Sequence, residues 1–184
     1  MRPTIFITLF LLVSSKSQGQ KVDLQIPEPE YIGNVILLKA KDEFIKLEKQ
    51  KPSIKASTSA STYIVGIGKS KTESIIQGAR STSRTNTREY LSFIVKVINN
   101  GLDPAEVISI FPLESNTKKN IRTIETASAT SFGSVKSGDI SYIPFKSEKY
   151  GDSSFLIIID KVLVPGEYAI AISGIETLSL FGVD

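Results

Sequence analysis

The chain has 184 residues and a formal charge of +3, and it contains neither histidine nor cysteine. Without histidine the commonest general base and metal ligand is missing, and without cysteine the soft nucleophile is missing too. Triads of Ser-His-Asp or Cys-His type, zinc sites and disulfides are therefore excluded.

Met1 to Thr4 gives a short cationic start, and Ile5 to Val13 follows as an unbroken apolar run of nine residues. Such a run is too short to span a bilayer and matches the core of a secretory signal. Ser17 and Gly19 are the small residues that precede a signal-peptidase site, so the sequence predicts a signal peptide over 1–19 and one domain over 20–184. Loss of Arg2 and Lys16 leaves 20 of the 22 cationic side chains against 19 acids, a balance of +1. A near-neutral chain offers no footprint for a phosphate backbone, so nucleic acid is not an expected partner. No later apolar run is long enough to predict an integral membrane segment after cleavage.

Lys21 to Ile26 alternates polar and apolar residues and ends at Pro27 and Pro29, as an edge strand does. Tyr31 to Ala40 reads as a strand buried on both faces at Val35–Leu38. A short strand is expected through Ile45 to Glu48, then a Ser/Thr/Ala-rich loop from Lys51 to Ser61. Thr62 to Gly68 is the next expected strand, with a turn at Lys69-Ser70-Lys71 and a return through Ile75-Ile76. Arg80 to Arg88, RSTSRTNTR, carries three arginines at four-residue intervals. It reads either as a solvated loop or as a loop that contacts an anion.

Tyr90 to Ile98 is a strongly apolar strand, stopped by Asn99-Asn100-Gly101, and Glu106 to Leu113 is expected to return beside it as a hairpin. Asn120 to Ala127 alternates weakly, as an outer strand would. Ala127 to Gly138 is small and polar, Ile140 to Phe145 reads as an edge strand, and Lys146 to Asp152 as a charged turn. Phe155 to Ile159 and Tyr168 to Ile172 then read as strand, turn, strand around Pro165-Gly166, with a last strand at Leu178 to Val183. Leu163, Pro165, Gly166 and Tyr168 carry the pattern of a tyrosine corner. There the phenol hydroxyl bonds backbone a few residues upstream. Many short strands and no helical period predict an all-β fold, an antiparallel Greek-key β-sandwich of immunoglobulin-like type.

Candidate chemistry is sparse. Gly66 to Ser70 imitates the end of a phosphate-binding loop, but Tyr63 stands where its first glycine belongs. Ser115-Asn116-Thr117-Lys118 spells the S-x-x-K of penicillin-recognising enzymes without their other motifs. A carboxylate pair could still hydrolyse glycosides, and Glu106, Glu114, Asp139, Asp152 and Asp160 are available, yet no spacing selects two of them. The expected function is thus a non-catalytic binding or structural module, with a carboxylate-based glycosidase as the alternative. No cofactor is expected. Candidate partner-binding residues are Arg80, Arg84 and Arg88, suited to a carboxylate- or phosphate-bearing partner, an anionic glycan or a protein, and second Tyr142 and Tyr150. Pro165, Gly166 and Tyr168 are the structural candidates.

Glu30 to Val35 (EYIGNV), Leu47 to Gln50 (LEKQ), Arg88 to Ile98, Pro165 to Ala169 (PGEYA) and Phe181 to Asp184 (FGVD) together resemble a set of uncharacterised exported β-rich proteins of Gram-negative bacteria. The resemblance implies export, to the periplasm, cell surface or medium, and a β-rich domain. It implies no activity and no site residues.

Overall fold

Alternation along three neighbouring strands sets the architecture. Val35, Leu37, Leu91, Phe93, Val95, Phe155, Ile157 and Ile159 are all buried in one cluster, while the residues between them face the opposite way. The computed structural model describes residues 26–39, 43–58, 69–86, 88, 90–130, 135–137 and 140–184. The fold is all-β, and its two sheets share a core as the layers of a sandwich do.

The first sheet has five antiparallel strands in the order β11-β12-β7-β1-β2: Lys146–Tyr150, Ser154–Ile159, Leu91–Lys96, Val35–Leu38 and Phe44–Lys46. The second runs β3-β14-β13-β8-β9-β5-β4: Glu48–Gln50, Leu178–Val183, Gly166–Ile172, Ile108–Asn116, Ile121–Thr130, Lys69–Gln77 and Ser53–Thr58. Two short strands attach to it, β10 (Val135–Ser137) on β9 and the two-residue β6 (Arg84–Thr85), which pairs in parallel with β14. A single helical turn, α1 (Pro104–Val107), is capped by the Asp103 carboxylate on the Ala105 N–H and leads into β8.

Between the sheets, the β1, β7 and β12 side chains meet Ile108, Ile110, Tyr168, Ile170, Ile172, Phe181 and Val183. The Tyr168 ring stacks on Phe181, with centroids 5.3 Å apart, and its hydroxyl donates to Val164 O at 2.6 Å, within the turn where the corner pattern places it. The outer face of the second sheet has a core of its own. β5 and β9 fold back over β13 and β14, so that Ile76 packs with Phe111, Leu113, Ala169, Leu178 and Leu180. Gln50 of β3 closes this curl. Its side-chain amide donates to Gln77 O (3.0 Å) and accepts from Gln77 N–H (3.1 Å), as a neighbouring strand's backbone would. On the outer face of the first sheet, Ile26 lies on Ile36 and Ile94, and Glu28 accepts from Ser153 N–H.

Several sequence expectations change. Phe155–Ile159 and Tyr168–Ile172 are not a hairpin, because β12 pairs with β7 and β11 whereas β13 pairs with β8 and β14, so Pro165-Gly166 carries the chain between sheets. The expected hairpin of Tyr90–Ile98 with Glu106–Leu113 is likewise a crossover, and Glu106 lies in α1. The strand expected at Ile45–Glu48 splits at Leu47 into β2 and β3, one in each sheet, and the buried Leu47 marks the crossing. The Lys51–Ser61 loop contains β4, and the Lys69–Lys71 turn is the start of β5. Asn120–Ala127 falls largely in β9, which has β8 and β5 on either side and is no outer strand. Ile140–Phe145 forms no strand, and the charged turn at Lys146–Asp152 begins with β11. The signal peptide over 1–19, the strand at Thr62–Gly68 and all of Lys21–Ile26 except Ile26 lie outside the described residues.

Candidate functional site

The arginine loop and the tyrosine turn sit in two different settings. Gly78, at φ +81°, turns the chain out of β5, and the 79–86 segment then crosses the outer face of the second sheet. Most of its Ser and Thr residues are not solvated: Ser81, Ser83 and Thr85 are buried and Thr82 is exposed. Ser83 Oγ accepts from Glu48 N–H at 2.8 Å and donates to Lys46 O at 3.1 Å. The Glu48 carboxylate accepts from Thr82 N–H (2.7 Å), Ser81 Oγ (2.9 Å), Gln50 Nε2 (2.6 Å) and Arg122 Nη2 (2.8 Å). Burial alone would raise the Glu48 pKa, but these donors outweigh it and hold the group below its usual range.

Arg122 of β9 is the largest fully buried side chain. Its guanidinium donates to Gly78 O (2.9 Å) and Gln77 O (3.0 Å) besides Glu48, and Nη1 lies 3.6 Å from Glu167 Oε2 without a hydrogen bond. Glu167 accepts from Ser81 N–H (2.6 Å) and from Arg84 Nη1 (2.6 Å). Arg84 also grips both carboxylate oxygens of Asp184 through Nε (3.0 and 3.1 Å), and Arg80 reaches the same carboxylate at 2.7 Å. Arg88 Nε donates to the Asp184 backbone carbonyl at 3.0 Å. The Arg84 hydrogen bonds, with Arg80 beside them, hold the Asp184 carboxyl below the usual range, while Asp184 and Glu167 push the Arg84 pKa up. Gly182 makes room for this grip, since a Cβ there would meet Arg84 Nη1 at 2.1 Å.

The structure thus brings Arg80, Arg84 and Arg88 together at Asp184, and the carboxylates that Arg80 and Arg84 contact are the protein's own. The sequence reading missed Glu48, Arg122 and Glu167, the charged side chains that the fold buries together. A usable signal was present: Arg122 and Glu167 fall at the core-facing parity of strands whose neighbours Ile124 and Ala169 are apolar. Of the acids nominated for hydrolysis, Glu106, Glu114 and Asp152 are exposed, Asp160 pairs with Lys146 at 2.7 Å, and Asp139 lies outside the described residues. Among the described residues, no group of three or more acidic side chains is arranged to hold a metal ion.

Comparison of the chain with family models, curated proteins and solved structures finds no match to any of them. Residue chemistry alone therefore carries the functional reading.

The second candidate pair separates. Tyr150 turns to the outer face of the first sheet, where its hydroxyl donates to Ile26 O. Tyr142 is 62 % exposed and stands edge-on to Phe111 at 6.2 Å. It borders a groove of about 810 Å³ whose walls are Asp103 and Ala105 on one side and Tyr142 to Phe145 with Ser147 on the other. The floor is Ile108, Ser109 and Ile110 of β8. A smaller cavity of about 200 Å³ lies across Tyr142, lined by Pro112, Val162 and Val164. Val162 and Val164 are 54 % and 71 % exposed, so the apolar surface is continuous on both sides of the ring. No helix among the described residues is long and apolar enough to cross a membrane.

Proposed function

We propose that this chain is an exported, non-catalytic binding module. In this reading a signal peptide over 1–19 is removed, and residues 20–184 form an immunoglobulin-like Greek-key sandwich that acts in the periplasm, at the cell surface or outside the cell. Its partner-contacting surface is the groove beside Tyr142. The observation that carries this choice is a contrast of surfaces: the guanidiniums of the arginine loop are bound to Asp184 and Glu167, whereas Tyr142, Val162 and Val164 present apolar area to solvent around an open groove. The absence of histidine and cysteine from the sequence supports a binding role over catalysis.

Hydrogen–deuterium exchange of the mature protein, alone and mixed with envelope protein, glycan and lipid fractions, tests the assignment. Protection over 103–110 and 141–147 in one of the mixtures is the expected result. Protection confined to 80–88 would return the site to the arginines and to an anionic glycan. No protection in any fraction would overturn the binding role.

A further inference from the structure

The groove is a seam at which both sheets stop. Among the described residues the first sheet ends at β11, which has only β12 beside it, and β9 accompanies β8 only along Glu114–Asn116. The first half of β8 is therefore an edge as well. Ser173 N–H donates to Val107 O at 2.8 Å, which fixes the alternation of the β8–β13 ladder. Ser109, Phe111 and Leu113 exchange main-chain bonds with β13, while Ile108, Ile110 and Pro112 turn theirs outward. Pro112, with no N–H to lose, occupies one of those outward positions.

Two outward bonds are already taken: Ile108 N–H donates to Pro104 O, and Ile110 O accepts from Ile143 N–H at 2.7 Å. The 140–145 segment thus straddles the edge, with Ile140 packed against the outer core and Ile143 in the inner one. Ile108 C=O and Ile110 N–H remain, and both face the groove.

We propose, resting on the assignment of the groove as the binding surface, that its occupant is an extended segment of a partner protein that adds to the edge of β8. That segment carries apolar side chains at alternate positions and a Lys or Arg beside Asp103. The outward main-chain groups of Ile108 and Ile110 supply the ladder, in the way Ile143 N–H already pairs with this edge. The exposed Tyr142 and Pro144 and the half-buried Phe145, set over the buried Ile108, Ile110 and Ile143, offer the apolar lining for every second side chain. Charge selects the end: Asp103 lines the groove and Glu106 is exposed on the same turn of helix, whereas Lys146, between the lining residues Phe145 and Ser147, is tied to Asp160.

The probe is a synthetic peptide, Lys-Val-Thr-Val-Thr-Val, titrated into the mature protein and followed by backbone amide shifts. Shifts centred on Ile108 to Ile110 are expected. N-methylation of alternate peptide bonds should weaken binding at least tenfold in one of the two possible phases. Ser147→Phe, which fills the groove from an exposed position on β11, should abolish binding without lowering the melting temperature. Asp103→Asn keeps the helix cap but should cost the lysine peptide several-fold in affinity, and a peptide with Ala for Lys nothing. Equal binding by both N-methylated phases and the parent peptide would overturn strand addition. So would no peptide binding while Ser147→Phe still removes protection by an envelope fraction, and in that case the groove assignment would survive. Self-association blocked by Ser147→Phe, with no peptide bound, would give the seam to a second copy and also overturn the proposal.

Discussion

Replacing Arg122 by methionine probes the buried charge cluster most directly. The side chain is fully buried, so the substitution keeps volume but removes three hydrogen bonds, to Glu48, Gly78 O and Gln77 O. Breaking a buried ion pair by removing one partner costs about 3–5 kcal/mol, because the other charge stays behind. Two features place this case near the low end. Glu48 keeps its donors from Ser81, Thr82 and Gln50, and Gln77 O keeps the Gln50 amide. Against that, Gly78 O loses its arginine donor and Glu167 loses its neighbouring cation. The expected loss is about 3 kcal/mol at neutral pH, or roughly 6–12 °C in Tm for a domain of this size. The pH dependence gives a second signature. Without Arg122, one of the donors that hold it down, folded Glu48 takes up a proton more readily than in the wild type, so the deficit should shrink as pH falls below about 4. Urea unfolding followed by circular dichroism, at about pH 7 and about pH 3, measures both. A deficit below about 1 kcal/mol, or one equal at the two pH values, would refute the account of the cluster as mutually compensating charges.

Tyr168→Phe should cost about 1 kcal/mol through the lost bond to Val164 O, read as a lower urea midpoint at unchanged slope. Gly166→Ala should be close to neutral in the same assay, because Gly166 does not have a positive φ and a Cβ there meets Tyr168 Cε2 at an ordinary 3.7 Å. Gly182→Ala, by contrast, should displace Arg84 and free Asp184, and faster amide exchange over 80–86 would report it. The depressed Glu48 and Asp184 carboxyls contribute stability that is present above their unfolded values, about 4, and lost as pH falls through the lower folded ones, so melting temperature should drop on acidification. A melting temperature flat from pH 6 to 3 contradicts this. On the proposal of export, the intact mass of the protein recovered from its producing cells should correspond to a chain beginning at Gln20, and a chain beginning at Met1 would rule out cleavage there.

Strand content was legible wherever bulk and period agreed, as in Leu91–Lys96, Ser154–Ile159 and Leu178–Val183. Partnership was not. Phe155–Ile159 and Tyr168–Ile172 look like hairpin arms because an apolar run on each side of Pro-Gly fits two pairings equally, and only the third dimension separates them. The polar arm failed for a different reason. Ser53–Thr58 and Lys69–Gln77 carry Ser, Thr and Lys where a half-buried strand carries apolar residues; the described β4 residues Ser53 to Ser57 are exposed on both faces, so no alternation exists to read. The arginine loop was misjudged because its partners are remote. Ser81, Ser83 and Arg84 have the composition of a solvated loop, and their burial depends on Glu48, Glu167 and Asp184, up to 100 residues away. The tyrosine corner was readable because its bond is local, four residues long.

The pairing of β14 with β3 and β6 has a consequence for the order of folding. Among the described residues, 48–50 and 84–85 gain their strand neighbours only when 178–183 are in place, and Arg80, Arg84 and Arg88 all bond Asp184, the first two its carboxylate and the third its main-chain oxygen. Loop closure on that scale precedes the contacts that reward it, which makes such a topology slow to fold. A nascent chain therefore cannot complete its outer core or its charge cluster before β14 has been made. During that interval Glu48, Arg122 and Glu167 have no shared burial to enter, so the outer core is the last part of this fold to exclude water.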